Sequence, residues 1–178
     1  MSSRRAPAVV PQGAGRVVLT GAASDAHTWN LVVLQMFLEE RGHTVVNLGP
    51  CMPIGLLVQR CRAHLPDLVV ISSVNGHGYL DGLSAIEQLL QCPELAGTPA
   101  VIGGRLGVDG RLDTADVDRL LAAGFRAVFA DGDLAAFDRF LTGQPAALTV
   151  RPGAGLHVGA DAAPSWHSSG YGRKRASS

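Results

Sequence analysis

With 178 residues, the chain has room for one ordinary domain with a full core and a segment to spare. Its 15 Lys and Arg match its 15 Asp and Glu, so charge marks neither a nucleic acid nor an anionic membrane as the main partner. Hydrophobic residues make up 47 % of the chain, but no apolar run approaches the length of a membrane span, and a soluble protein is expected.

Residues 1–15 carry Pro7 and Pro11 among glycines and read as a disordered arm. The arginine pair Arg4-Arg5 is followed by no continuous apolar segment, so no signal peptide is expected. From residue 16 the pattern alternates strand and helix five times. Short β-rich apolar runs of the kind buried on both faces occupy 16–20, 44–48, 68–72, 100–103 and 127–129. Helical spacing of apolar residues, such as Leu31, Leu34, Phe37 and Leu38, marks 28–41, 54–64, 83–91, 114–123 and 134–141. Gly42 and Gly124 fall where the first and fourth helices should end, and Thr114 with Asp116 and Asp118 marks a helix start. Five such units predict an α/β domain over 16–141: a five-stranded parallel doubly wound sheet of flavodoxin or Rossmann type. From 142 to 178, Pro145, Pro152 and Pro164 among Gly, Ala and Ser predict a disordered tail, basic at Arg173-Lys174-Arg175.

Ligands of such sheets bind at the carboxyl ends of the strands, so the loops there hold the candidates. After the first strand come Ser24, Asp25, Ala26, His27 and Thr28. Asp25 either caps the next helix, with His27 a polar first-turn residue, or orients the His27 ring so that its second nitrogen becomes a metal ligand. After the third strand come Ser72, Ser73, Val74, Asn75, Gly76, His77 and Gly78, and after the fourth Gly103, Gly104, Arg105, Leu106, Gly107 and Val108. Glycine there lets something large approach the backbone, yet no nucleotide fingerprint or phosphate-loop lysine is present. Cys61 and His64, with Cys51 upstream, lack a zinc spacing and read as core and surface residues. Cys51, Cys61 and Cys92 are an odd number without a Cys-x-x-Cys pair, pointing to a reducing cytoplasm. His43 reads as solvated, Trp29 as a packing residue, and His77 as a rim residue able to touch a ligand or a partner.

Asp25-x-His27, Ser72-x-Val74 and Gly103-Gly104, in that order, resemble the cobalamin-binding domain pattern Asp-x-His-x-x-Gly, Ser-x-Leu, Gly-Gly. Within that superfamily the flanking residues, including Val45-Val46-Asn47-Leu48-Gly49 and Ala123-Gly124-Phe125, are most similar to the small cobalamin-carrying subunit of glutamate mutase. Asn30 stands where that pattern has its glycine and Val74 where it has leucine.

The resemblance implies that the benzimidazole base of the cofactor leaves cobalt, is buried beside the sheet, and is replaced by His27 as axial ligand, with Asp25 orienting the ring. Ser72 would hydrogen-bond the displaced base, Val74 pack on it, and Gly103 and Gly104 leave room for the nucleotide tail. Arg105 to Val108 and Gly132 would line the same channel. It further implies adenosylcobalamin as cofactor and radical isomerisation of glutamate and 3-methylaspartate. The amino-acid substrate would be held by a separate barrel-type large subunit in a hetero-oligomer, a heterotetramer. The rival expectation is a corrinoid carrier or cobalamin-sensing module that isomerises nothing.

Overall fold

A computed structural model describes residues 14–95, 97–108 and 112–143. Expectations for 1–13 and 144–178 therefore lie outside the described residues. The elements run β1 (Arg16–Gly21), α1 (Trp29–Glu39), β2 (Thr44–Asn47), α2 (Ile54–His64), β3 (Leu68–Ser73), α3 (Gly78–Gln91), a 3-10 turn (Pro93–Leu95), β4 (Ala100–Gly104), α4 (Thr114–Ala123), β5 (Ala127–Ala130) and α5 (Leu134–Leu141). All strand pairs are parallel and the sheet order is β2-β1-β3-β4-β5. This is the doubly wound sheet that the alternation of patterns predicts. Among the described residues no helix is long and apolar enough to cross a membrane.

Strand residues alternate between two core layers, as the period of two requires. Val18, Val69, Ile71 and Ile102 pack with Leu57, Ile86 and Leu120 of α2, α3 and α4. Val17, Leu19, Val70, Val101 and Phe129 pack with Leu31 and Leu38 of α1 and Phe137 of α5. The C-terminal part of α1 is joined to α5 by the stacked Phe37–Phe137 rings, centroids 5.8 Å apart, and by Arg41 to Asp138 at 2.5 Å. The first turn of α1 is left to meet the sheet by itself.

The structure departs from the sequence expectation at several ends. α3 starts at Gly78, five residues early, because the helix is drawn against β3: a Cβ on Gly78 would stand 2.6 Å from Ser73 Cβ. α4 starts at Thr114 and ends at Ala123, as expected; its cap is Asp113, whose carboxylate accepts from the Asp116 amide at 2.7 Å. His43 is buried, not solvated, and its Nδ1 accepts from the Gly15 amide at 3.3 Å.

Candidate functional site

β1 and β3 are neighbours in the sheet, yet the chain leaves them in opposite directions, through α1 on one face and α3 on the other. That divergence opens a crevice at the carboxyl edge of the strands, and the first two motifs line it. Gly21, Ser72, Gly103 and Phe129 are register partners across four strands. Three of the four carry nothing larger than a hydroxymethyl group, so the top of the α1 face of the sheet is almost bare. Gly103 is needed here, since a Cβ would lie 3.0 Å from the Phe129 carbonyl oxygen. Gly104 is needed more, with φ at +105° and a Cβ position 2.1 Å from the Ser73 carbonyl oxygen.

Asp25 sits in the crevice, 1 % exposed. Its Oδ1 accepts from the His27 amide at 2.9 Å and pairs with His27 Nδ1 at 2.7 Å, while Oδ2 accepts from the Val74 amide at 2.5 Å. Burial by itself raises the Asp25 pKa, but the hydrogen bonds from the His27 and Val74 amides and the His27 ring outweigh it and hold the carboxyl below its ordinary value. An ionised carboxylate only accepts, so Nδ1 carries the hydrogen of this bond and Nε2 is the ring nitrogen turned away from Asp25. The His27 side chain is 62 % exposed, leaving Nε2 available to a ligand. The alternative role of Asp25 fails: the residue capping α1 is Thr28, and no side chain bonds that end.

Other candidates form the surroundings. The Ser24 amide and hydroxyl both donate to Asp81 Oδ2, at 2.8 and 2.6 Å, and Asn75 Nδ2 donates to the Ser24 carbonyl at 2.7 Å. The Ser73 hydroxyl points to the α3 side and donates to Asn75 Oδ1 at 3.0 Å. Ala26 and Thr28 are exposed beside His27, Val74 is half-buried, and Gly132 lies half-buried in the turn before α5. The loops after β3 and β4 are tied by the Gly76 amide donating to the Arg105 carbonyl at 3.2 Å and the Tyr79 amide to the Leu106 carbonyl at 3.1 Å. Arg105 and Val108 are exposed and Gly107 half-buried, whereas Leu106 is packed in the core layer beneath α3, away from Ser72. Sequence reasoning missed Asp81, whose only signal is an acidic residue in a first helical turn. It also missed the contact of Asn30 with Ser72, where Asn30 Nδ2 donates to Ser72 Oγ at 2.9 Å. Trp29 is exposed and packs on nothing large, heading a stripe with Val32, Val33 and Met36 on the open side of α1. Cys61 is buried, Cys51 exposed, and no cluster of three potential metal ligands exists among the described residues.

A histidine oriented by a buried carboxylate, beside a strip of sheet carrying only small side chains at a switch point, defines an α/β domain that offers one imidazole ligand. Residues 15–136 match the B12 binding domain family, and the chain belongs to it. It is 36 % identical over 114 residues to the glutamate mutase sigma subunit of Halobacterium salinarum, covering 64 % of this chain and 74 % of that protein. It is 28 % identical over 119 residues to the glutamate mutase sigma subunit of Fusobacterium nucleatum, covering 66 % and 85 %. A solved cobalamin-binding protein from Desulfitobacterium hafniense shares the fold, with a TM-score of 0.53 at 19 % identity over 64 % of this chain. The chain spans about half of that structure, 51 % of its length.

Proposed function

We propose that this chain is the cobalamin-carrying subunit of an adenosylcobalamin-dependent mutase that interconverts glutamate and 3-methylaspartate in the cytoplasm. A separate barrel-type large subunit holds the amino acid in a hetero-oligomer. The observation that carries the cofactor is the Asp25–His27 pair, with one ring nitrogen fixed by a buried carboxylate and the other turned outward. The particular reaction is supported by the two similar proteins named glutamate mutase sigma subunits.

The residues present fit the group. His27 would hold the cobalt through Nε2, with Asp25 setting the ring's tautomer and direction and raising its basicity. Ser72 would hydrogen-bond the nucleotide base and Val74 pack on it, while Gly103 and Gly104 would leave room for the nucleotide tail. Ser24 and Ser73 tie the His27 and Ser72 loops to Asp81 and Asn75, Ala26 and Thr28 flank His27, and Arg105, Gly107, Val108 and Gly132 would rim the approach. Leu106 supports the β4 loop from the core. When bound, the cofactor supplies a cobalt–carbon bond that breaks homolytically, and so radical chemistry. This chain binds and orients; excluding water from the upper face falls to the large subunit.

Electron paramagnetic resonance of the full chain loaded with cob(II)alamin tests the ligand. Histidine nitrogen coupling is expected in the wild type and absent in His27→Ala; coupling that survives removes His27 from cobalt. Rearrangement of glutamate or 3-methylaspartate is expected only with both subunits and the cofactor. Methyl transfer from methylcobalamin by this chain alone would instead make it a corrinoid carrier.

A further inference from the structure

Ser24 stands immediately before Asp25, and its amide, carbonyl and hydroxyl are all held by two side chains. The amide and hydroxyl both donate to Asp81 Oδ2, at 2.8 and 2.6 Å. The carbonyl accepts from Asn75 Nδ2 at 2.7 Å, and the same nitrogen lies 3.0 Å from the hydroxyl oxygen. Asn75 precedes α3 and Asp81 lies in its first turn, so one short segment grips Ser24 from both ends. The direction of each bond is settled by groups that have a single role. A carbonyl oxygen only accepts, so the NH2 of Asn75 faces Ser24. The His77 amide only donates, and it lies 3.0 Å from Asn75 Oδ1, which also accepts from the Ser73 hydroxyl at 3.0 Å. Turning the Asn75 amide over would set oxygen against oxygen and N–H against N–H. The other supports of the Asp25 backbone are main-chain bonds, from its amide to the Ala22 carbonyl at 3.0 Å and from the Cys51 amide to its carbonyl at 2.8 Å. Among the described residues, the Asp81 carboxylate bonds nothing but Ser24.

Resting on the cobalamin-carrying role above, we propose that Asn75 and Asp81 are positioning residues for the His27 ligand. They clamp Ser24, Ser24 places Asp25, and Asp25 aims the ring. The acid and the amide of this clamp are not interchangeable. Asp81 contributes one oxygen that accepts twice, and the oxygen of an asparagine does the same. Asn75 contributes a donor, which a carboxylate lacks. An acid at position 75 would also turn a negative charge toward the Ser24 carbonyl and Asp81, while keeping the oxygen that serves His77 and Ser73. Asp81→Asn therefore keeps the clamp closed and Asn75→Asp opens it, although both swaps preserve shape.

The test compares the wild type, Asp81→Asn, Asp81→Ala and Asn75→Asp as full chains, with folding checked by circular dichroism. Magnetic resonance of the nitrogen-labelled, cofactor-free chain, about two pH units above the ordinary histidine value, shows which ring nitrogen of His27 carries hydrogen. Spectral titration then gives the affinity for cobalamin. The wild type and Asp81→Asn are expected to keep the hydrogen on Nδ1 and to bind cobalamin alike. Asn75→Asp and Asp81→Ala are expected to show the mixed tautomers of an unrestrained imidazole and roughly tenfold weaker binding. A folded Asn75→Asp with the tautomer and affinity of the wild type overturns the proposal, as does an Asp81→Asn no better than Asp81→Ala. Loss of the native fold in Asn75→Asp overturns it too, by making the clamp a support of the fold rather than of the ligand. Tautomers that change as expected in a chain whose wild type binds no cobalamin would instead remove the cofactor-carrying role and leave the positioning of His27 standing.

Discussion

Both oxygens of Asp25 are committed, Oδ1 to the amide and ring of His27 and Oδ2 to the amide of Val74. An amide in its place keeps one acceptor and turns an NH2 group toward at least one of those donors. Asp25→Asn is accordingly expected to weaken cobalamin binding by roughly ten- to a hundredfold. It should also cost about 1–3 kcal/mol of folding stability, read from spectral titration and urea unfolding. The carboxyl is held below its ordinary value of 3.8 in the folded chain. Its contribution is therefore complete above pH 3.8 and lost as the pH falls through the lower folded value, and Asp25→Asn should lack that part of the acid transition. The Asp-x-His spacing was legible in the sequence, but by itself it read more readily as a helix cap. The structure gives the cap of α1 to Thr28 and joins Asp25 to the Val74 amide, 49 residues away, which no local pattern reveals. Asn30 and Ser72, 42 residues apart, were hidden for the same reason.

At the level of elements, the type and order of all five strands and five helices followed from periodicity, because buried parallel strands and one-sided helices leave unmistakable patterns. Their ends did not. Gly76 and Gly78 look like loop residues, since glycine is a poor helix former, yet α3 begins at Gly78 because only glycine allows the helix to lie against Ser73 and Leu106. β4 likewise runs one residue further than its apolar run, to Gly104. Gly104→Ala is the sharpest test of that packing. The positive φ alone costs a side chain about 1–3 kcal/mol, and the new Cβ would overlap the Ser73 carbonyl, displacing the strand that carries Ser72. A lower urea midpoint together with weakened cobalamin binding is expected. A variant as stable as the wild type would mean that β4 can shift without disturbing β3.

On the scale of the whole molecule, the carboxyl edge of the sheet combines the candidate site with large exposed apolar side chains. Trp29, Leu80 and Val108, 80 %, 64 % and 82 % exposed, follow β1, β3 and β4. With a corrin ring seated on His27 among them, this edge would be one continuous apolar surface suited to a second protein. Calorimetric titration with the large subunit is expected to give markedly tighter binding when adenosylcobalamin is present; equal affinity with and without it would count against a shared surface.

The carboxylate that aims His27 is also a bolt between the two halves of the sheet, joining the segment after β1 to the segment after β3. Until those strands meet, nothing fixes the imidazole, and their meeting closes a long loop of chain, a slow event on the way to the native state. A growing or refolding polypeptide thus has no ordered ligand to offer. On the proposed role of His27, cobalamin would bind only after those strands have met, and its stabilisation would show as slower unfolding rather than faster folding.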